Sequence, residues 1–343
     1  MAVSRLYRRM TSDMTRRVAQ LIINPISGTG DKSGLEETVV SRLGKIGIDV
    51  SVIHTTCRGD ATRIAGEAAR SGIDIVLAAG GDGTVNETAS ALCGTSTVLG
   101  ILPCGSGNGL ARHLGIPVDP IQALDVIVGG NIISADHGEV NGKKFFCTFG
   151  VGFDAAVSKQ FAGRKRRGKL TYIRSTVEQY LKYRPEEYTI AVNGHQLTQK
   201  AFLVAVCNAS QYGNNAYIAP HASITDGLLD VTIIHSGNPL QTALVGLDMM
   251  TGYINRNTLI QTVKASNLTI TRKGPGPAHI DGEPVTIDPV MQIDCRPATL
   301  RVFTSKVEQP FKPIITPVRA MIDDLRIAIS HFFPRIEDTL KIK

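Results

Sequence analysis

The chain has 343 residues, of which 43% are hydrophobic and 20% charged, and a formal net charge of +7 at pH 7. This composition is that of an ordinary globular protein and excludes a disordered chain. The length allows two domains, because a single core rarely grows beyond ~250–300 residues. No apolar run approaches the ~18–20 residues that a membrane-spanning helix requires.

The N-terminal arm, the cysteines and the net charge indicate the compartment and the class of partner. Residues 1–17 are a basic arm with five arginines and no apolar run, so they are not a secretory signal. The six cysteines are scattered without a CxxC pair, which favours reduced thiols in a cytoplasmic protein. The positive charge favours an anionic partner, such as a nucleotide or a lipid surface. An aromatic content of 5% and the lack of Trp argue against nucleic acid.

Residues 18–133 alternate short apolar runs with stretches of helical periodicity. Buried strands are predicted at residues 18–23, 48–54, 74–79 and 97–102, and each is followed by a loop and a helix. Such alternation predicts a doubly wound parallel α/β domain, whose ligands bind at the carboxyl ends of the strands.

Three loops at this predicted edge are rich in glycine. They are Asn24-Pro25-Ile26-Ser27-Gly28, Gly80-Gly81-Asp82-Gly83-Thr84-Val85-Asn86-Glu87 and Gly105-Ser106-Gly107-Asn108. Glycines let backbone N–H groups approach an anion, and a helix N-terminus favours negative charge. One such loop could be an ordinary turn capped by Asp82, but three in succession predict a phosphate-binding site. An acid at Asp82 would then hold Mg²⁺ or accept a proton.

The pattern changes to strands near residue 134. Strands are predicted at residues 143–149, 187–192, 200–206, 229–234, 259–263, 268–271 and 299–303, with a hairpin turn at Asn193-Gly194. We therefore predict a second, antiparallel β domain over residues 134–304, interrupted by helices at 170–183 and 240–253. Residues 305–343 are expected to return to the first domain. Their amphipathic stretch at 318–333 would pack on the protein itself, on a second subunit or on a membrane surface.

Three polar stretches stay open at this point. The basic run Arg164-Lys165-Arg166-Arg167-Gly168-Lys169 is either a solvated face or a contact to phosphates or an anionic membrane. Asp281-Gly282-Glu283 places two carboxylates around a turn that could bring both toward a cleft. Asp226-Gly227 is typical of a plain β-turn. Residue types alone assign neither acidic turn to catalysis.

Five ordered motifs resemble the diacylglycerol kinase and sphingosine kinase family of lipid kinases. They are the three glycine loops, Asp226-Gly227-x-Leu229-Asp230 and Asp281-Gly282-Glu283, and they extend over most of the chain. The resemblance implies a nucleotide-binding α/β domain and a C-terminal β-sandwich that binds lipid, with Mg²⁺ and ATP in the cleft between them. The implied reaction transfers the γ-phosphate to the primary hydroxyl of a sphingoid base or diacylglycerol. A cytoplasmic protein with peripheral membrane association would carry it out, either as a monomer or as a homodimer.

The resemblance also implies roles for individual residues. Asp82 and Glu283 would be the candidate proton acceptors, with Asp281 on Mg²⁺. Asp226 would hold a structural Mg²⁺ together with main-chain oxygens near Ser223 and Leu228. The implied nucleotide-binding residues are Asn24, Pro25, Ser27, Gly28, Thr55, Gly80, Gly81, Gly83, Thr84, Asn86, Glu87, Gly105, Ser106, Gly107, Asn108 and Lys165.

Two departures from the family pattern concern the substrate. Many bacterial diacylglycerol kinases carry Asp where this chain has Gly109, so the third loop is closer to that of sphingosine kinases. The acid with which sphingosine kinases hold the lipid head group corresponds to about Ser158, and the nearby acid is Asp154. This weakens the expectation of a sphingoid amine as substrate.

Two other functions are weighed against a lipid kinase. Phosphorylation of a soluble nucleotide, as in NAD kinases, shares the Gly80–Thr84 turn but is disfavoured by the loops at Asn24 and Gly105. A non-catalytic nucleotide or lipid sensor would be favoured by loss of the carboxylates, and all three of Asp82, Asp281 and Glu283 are present.

Overall fold

The computed structural model describes residues 17–28, 34–162, 183–254, 257–305 and 311–332. Its N-terminal half is built on four parallel strands in the order β2-β1-β3-β4. Their bounds are β1 (Arg17–Ile23), β2 (Ile48–His54), β3 (Ile75–Gly80) and β4 (Val98–Pro103). Both β3 and β4 are buried along their whole length, as expected of strands covered on both faces.

Five helices cover this sheet. Their bounds are α1 (Leu35–Gly44), α2 (Asp60–Arg70), α3 (Asp82–Leu92), α4 (Gly109–His113) and α5 (Pro120–Gly129). Helix α2 packs against α3, and α1 packs against α5. Because the chain reverses direction across the sheet after β2, right-handed crossovers place these two pairs on opposite faces. The predicted doubly wound α/β fold is confirmed.

The C-terminal half is a β-sandwich, and one of its layers continues the parallel sheet. The strands of that layer are β5 (Ile132–Val140), β6 (Lys143–Phe145), β8 (Glu186–Val192), β9 (His195–Ala201), β13 (Asn267–Arg272) and β16 (Val290–Phe303). Strand β16 pairs with β4 in parallel through Val302 and Leu99, and with β5 and β13 in antiparallel fashion. The long strand β16 therefore joins the two halves in one sheet.

The second layer of the sandwich is antiparallel throughout and has the strand order β12-β11-β10-β7-β14-β15. Its strands are β7 (Thr148–Gly152), β10 (Leu203–Cys207), β11 (Leu229–Ile234), β12 (Ile260–Ala265), β14 (Gly276–Ile280) and β15 (Glu283–Ile287). Phe145, Phe149 and Tyr188 are fully buried among the apolar side chains of this half. The predicted antiparallel β domain is confirmed, and the resemblance correctly implied a sandwich.

Two of the predicted strands are each divided in the structure. Residues 143–149 form β6 and β7 because the backbone N–H groups of Phe146, Cys147 and Thr148 donate to the Asp281 carboxylate. Residues 200–206 divide between β9 and β10, which lie in different layers. At that break the N–H of Phe202 donates to the carbonyl of Ile234.

Three further helices belong to the C-terminal half and the chain end. They are α6 (Phe153–Ala162), α7 (Pro239–Thr251) and α8 (Ile315–Phe332). Helices α7 and α8 agree with the predicted helical stretches at 240–253 and 318–333, whereas the helix predicted at 170–183 lies outside the described residues. Among the helices that the structure describes, none combines the length and the apolar character needed to cross a bilayer.

Candidate active site

The three glycine loops meet at the carboxyl edge of the parallel sheet, where their backbones touch. A Cβ atom on Gly28 would lie 1.8 Å from the carbonyl oxygen of Cys104, and Gly28 has φ +70°. A Cβ atom on Gly105 would lie 2.7 Å from the Cα of Gly81. Glycine is therefore required at these positions, because it alone lets the three loops pack on one another.

The second loop is shorter than the sequence predicts. Helix α3 begins at Asp82, within the stretch from Gly80 to Glu87 that was predicted as a loop, so only Gly81 separates it from β3. The motif thus forms the first turn of α3, where the macrodipole and the free N–H groups favour an anion.

Asp82 joins the second loop to the third. Its Oδ2 accepts the N–H of Asn108 at 2.9 Å, and its Oδ1 accepts the N–H of Gly109 at 2.7 Å. Burial raises the pKa of Asp82, while these two N–H groups partly oppose the shift. Each oxygen of the carboxylate thus accepts one backbone N–H of the third loop.

Other polar residues of the loops form further hydrogen bonds, and one of these joins the first loop to the second. The Asn24 Nδ2 donates to Thr84 Oγ1 at 3.0 Å. Asn108 closes its own loop on the backbone of Gly105, and Glu87 Oε1 accepts the N–H of Gly59 at 3.0 Å.

The remaining nucleotide-site predictions lie at the same edge or outside the described residues. Thr55 is buried, and its N–H donates to the carbonyl of Ile23. Pro25 and Ser106 are exposed at the tips of their loops, where a ligand could reach them. Lys165 falls outside the described residues, so its contact to phosphate stays a prediction.

Asp281 closes the cleft from the β-sandwich side. Its carboxylate accepts the N–H groups of Phe146, Cys147 and Thr148 at 2.8–2.9 Å, together with Asn86 Nδ2 at 2.7 Å. Burial raises the pKa of Asp281, and these donors oppose the shift. Since each oxygen already accepts two hydrogen bonds, this carboxylate positions the cleft and has no lone pair left for a metal.

Glu283 lies across the cleft from the second loop. A Cβ atom on Gly83 would be 3.0 Å from Glu283 Oε1, so this carboxylate is next to the first turn of α3. Its other oxygen forms an ion pair with the exposed guanidinium of Arg58. Glu283 is therefore the carboxylate of the Asp281-Gly282-Glu283 turn that faces the phosphate-binding loops.

A small cavity lies between Asp82 and Asp281. Its lining comes from both halves of the protein: Asp82, Val85, Asn86, Leu110, Phe146, Cys147, Thr148, Tyr212 and Asp281. The cavity thus has an acid from each half at its wall, and the binding of a nucleotide and a lipid head group between the two halves stays a prediction.

Behind this cavity, Asp154 is engaged in internal hydrogen bonds. Its Oδ2 accepts Tyr212 Oη at 2.9 Å and contacts His279 Nε2 at 3.0 Å, while its Oδ1 accepts the N–H of Ala155. His279 is fully buried, and Ser158 lies one turn further along α6 on the same face. Of the two residues predicted to bind substrate, Asp154 is thus hydrogen-bonded to other residues of the protein.

The Asp226 turn does not fit the implied structural metal site. Asp226 Oδ2 forms an ion pair with Lys264 Nζ at 2.7 Å, and the same ammonium lies 3.3 Å from Asp230 Oδ2. Burial raises the pKa of Asp230, and Lys264 partly opposes that shift. Asp226 Oδ1 accepts the N–H of Leu228 at 3.1 Å. A lysine ammonium therefore supplies the positive charge that Mg²⁺ was expected to supply at this turn.

We expect metal removal to leave the melting temperature of the protein unchanged and Lys264→Met to lower it. The substitution leaves two neighbouring carboxylates without a counter-ion, which should cost roughly 1–2 kcal/mol of unfolding free energy. Mg²⁺ should then raise the melting temperature of Lys264→Met, because paired carboxylates suit a hard cation. Lys273→Met, at an exposed lysine, is the matched control. A lower melting temperature of the parent protein in chelator would show that a metal resides at this turn.

Three residues of these sites were not predicted from the sequence. Arg58 pairs with Glu283 across 225 positions of the chain, and Tyr212 reaches the cavity from a loop without a motif. Lys264 lies on β12, opposite Asp230 in the strand register. No pattern local to any of the three signals its contact, because each contact joins segments that are far apart in the sequence.

Two family sequence models match the chain in succession. One, described as the diacylglycerol kinase catalytic domain, matches residues 18–140. The other, described as the YegS C-terminal NAD kinase beta sandwich-like domain, matches residues 147–304. Together they cover both halves of the fold, and the first ends at Val140, the last residue of β5.

Curated relatives and a solved structure agree with these matches. The chain is 31% identical over 271 residues to a diacylglycerol kinase of Bacillus subtilis (strain 168), covering 77% of this chain and 89% of the relative. It is 30% identical to a probable lipid kinase YegS-like of Klebsiella pneumoniae (strain 342), covering 82% of this chain and 95% of the relative. A crystal structure of a candidate diacylglycerol kinase from Bacillus anthracis str. Sterne has a TM-score of 0.73 and 26% identity, covering 86% of this chain and 98% of that chain.

Proposed function

The chain belongs to the diacylglycerol kinase family of lipid kinases, and on that premise we propose that it transfers the γ-phosphate of ATP to the primary hydroxyl of diacylglycerol. The nucleotide would bind on the three glycine loops. Their N–H groups and the N-terminus of α3 favour a phosphate chain. The lipid head group would enter the cleft from the β-sandwich side.

The observation that carries this proposal is the position of Glu283. Its carboxylate belongs to the β-sandwich half but lies against Gly83, at the turn where the terminal phosphate would sit. A hydroxyl bound between Glu283 and that phosphate could lose its proton to the carboxylate as the phosphoryl group is transferred. Phosphoryl transfer mainly requires such positioning together with charge neutralisation.

The choice of diacylglycerol over a sphingoid base rests on Asp154. A sphingoid base carries an ammonium group, which is usually held by an acid, and position 158 carries Ser in place of the acid of sphingosine kinases. The nearby Asp154 bonds to Tyr212 and His279 inside the protein. A neutral diacylglycerol head group needs no such acid, so the cluster can stay intact when it binds.

Mg²⁺ bound to ATP would neutralise the phosphate charge during transfer. Mg²⁺ in kinases is usually held by one or two carboxylates together with the substrate phosphates. Asp82 lies at the phosphate-binding loops, and each of its oxygens accepts one backbone N–H of the third loop, so it fits this requirement. The four hydrogen bonds to Asp281 leave it unsuited, and Glu283 is assigned to the proton. Within the described ranges there is no group of three His, Cys, Asp or Glu residues that could hold a metal by itself. This agrees with a metal that arrives on the nucleotide.

The test is a kinase assay with ATP labelled on its γ-phosphate. The acceptors are a diacylglycerol, sphinganine, sphingosine, ceramide and NAD, with a sample lacking any acceptor. We expect label in an organic-extractable product only with diacylglycerol. Label in a sphingoid product would assign a sphingosine kinase activity. Label only with NAD or without acceptor would refute a lipid kinase.

A further inference from the structure

The C-terminal helix α8 forms an ion pair with the short helix that follows the third glycine loop. Arg112 on α4 donates to both carboxylate oxygens of Asp324 on α8, each at 3.1 Å. The two residues are 212 positions apart in the chain, and their side chains are only 10% and 21% exposed. A bidentate pair of this kind fixes the orientation of the guanidinium as well as its position. Helix α8 therefore orients the Arg112 side chain.

The same guanidinium also binds the backbone of the third loop. Arg112 Nε donates to the carbonyl oxygen of Gly107 at 3.0 Å, and Nη1 donates to Asn215 Oδ1 at 3.3 Å. With the two bonds to Asp324, four of the five N–H groups of the guanidinium are hydrogen-bonded. A lysine ammonium lacks the planar fork that reaches all three acceptors. Arg112 thus joins the third loop to α8 in a way that depends on arginine.

Gly107 is packed closely on both the phosphate-binding site and the loop after β10. A Cβ atom on Gly107 would lie 2.8 Å from Asp82 Oδ2. A Cβ atom on Gly213, in the loop after β10, would lie 3.0 Å from the carbonyl oxygen of Gly107. The next two residues of the third loop, Asn108 and Gly109, donate their N–H groups to Asp82. A displacement of the Gly107 carbonyl would therefore disturb the contacts that hold the third loop on the second.

Asp324 supplies the negative charge that keeps Arg112 in this position. Removing one partner of a largely buried ion pair leaves an uncompensated charge, which is strongly unfavourable. Without Asp324, the guanidinium is expected to turn toward solvent and to release the Gly107 carbonyl. The loss of a single carboxylate on α8 would thus be felt at the carboxyl edge of the parallel sheet.

We propose that Asp324 is a positioning residue for nucleotide binding, an inference that rests on the proposed function. Acting through Arg112, it fixes the carbonyl of Gly107 and thereby the third glycine loop, on which the phosphates of ATP bind. Helix α8 is then part of the nucleotide site, although it lies beyond residue 304, where the second family-model match ends.

The test is equilibrium binding of ATP with Mg²⁺ to the purified full chain, measured by calorimetry. Asp324→Ala should weaken ATP binding at least about fivefold, the lower end of the coupling usually found between linked sites. In kinase assays the KM for ATP should rise by the same factor, whereas the KM for diacylglycerol should stay parental. Asp324→Asn keeps one acceptor oxygen for Arg112, so its ATP affinity should lie between those of the parent and Asp324→Ala.

A double variant separates positioning from stability. Arg112→Met with Asp324→Leu removes both charges, so its melting temperature should recover relative to that of Asp324→Ala. Its ATP affinity should remain low, because the Gly107 carbonyl still lacks its donor. If ATP affinity recovered together with the melting temperature, the pair would be structural only and the inference would be wrong.

Two controls address unrelated causes of weak ATP binding. Asp125→Ala removes the acid of another ion pair between helices, that of Arg42 on α1 with Asp125 on α5. Val231→Ala opens a space in the core of the β-sandwich and lowers stability there. Both should bind ATP as the parent does.

The outcomes distinguish this inference from the proposed function. Parental ATP affinity in Asp324→Ala would overturn the inference, even if diacylglycerol is phosphorylated. Weakened ATP binding in Asp324→Ala, in a protein that phosphorylates no diacylglycerol, would support the inference and refute the proposed acceptor alone. A parent protein that binds no ATP would overturn both.

Discussion

Replacing Glu283 with Gln is expected to lower kcat about 10²–10⁴-fold, the usual contribution of a positioned general base. The KM for ATP should change little, because Glu283 lies on the acceptor side of the cleft. The fold should also be unaffected, since the side chain is half-exposed and its contact is an exposed ion pair with Arg58. Such pairs contribute about 0–1 kcal/mol to stability. Turnover and the melting temperature of the purified variant check both expectations.

Glu283 is the stronger candidate for the base because the other two acids are held by backbone groups. The oxygens of Asp82 bind the N–H groups of Asn108 and Gly109, and those of Asp281 accept four hydrogen bonds. Asp82→Asn would turn a donor toward a backbone N–H, so it should lower the melting temperature as well as kcat. A loss confined to kcat is therefore the signature expected of Glu283 alone.

Glu67→Gln is the matched control for this prediction. Glu67 also forms an exposed ion pair, with Arg63 at 3.1 Å, but it lies on α2 away from the cavity. Its variant should keep the parental kcat and melting temperature. Parental turnover in Glu283→Gln would contradict our assignment and leave Asp82 as the candidate base.

The sequence predicted those parts of the site that depend on local chemistry. The glycine loops could be located because Gly28, Gly81 and Gly105 occupy turns where backbones touch, and such turns require glycine. The βα alternation predicted which strand ends meet, and therefore that these loops share one edge. The resemblance then added the acidic turn at Asp281 from the other half.

The remaining features depend on contacts between distant segments. Asp281 and Glu283 are separated by one residue in the sequence. Asp281 nevertheless accepts four hydrogen bonds, whereas Glu283 faces the phosphate-binding loops. The difference arises because three of the four donors to Asp281 lie 133–135 residues away, at a break between β6 and β7 that was predicted as continuous strand. The position of Lys264 beside Asp226 and Asp230 likewise depends on the register between β11 and β12. Sequence motifs show which acids are present, whereas strand pairing determines which of them remain available.

Asp281→Ala is expected to lower the free energy of unfolding by at least ~4 kcal/mol, because four donors lose their acceptor and each buried donor left unsatisfied costs ~1–3 kcal/mol. Three backbone N–H groups and the amide of Asn86 lose their partner. Activity should fall as well, since the bond to Asn86 holds α3 against the β-sandwich and thereby sets the distance between Gly83 and Glu283. Urea unfolding and turnover measure the two effects.

Two further variants test whether the effect comes from these hydrogen bonds. Asp288→Ala removes an exposed acid close to the same β14–β15 hairpin and should change stability by no more than ~0.5 kcal/mol. Asp281→Asn keeps one acceptor oxygen but turns an amide toward the N–H groups, so its stability should lie between those of the parent and Asp281→Ala. If Asp281→Ala had the same free energy of unfolding and the same turnover as the parent, the cleft would be held by other contacts. The proposal that Asp281 positions the turn while Glu283 accepts the proton would then be wrong.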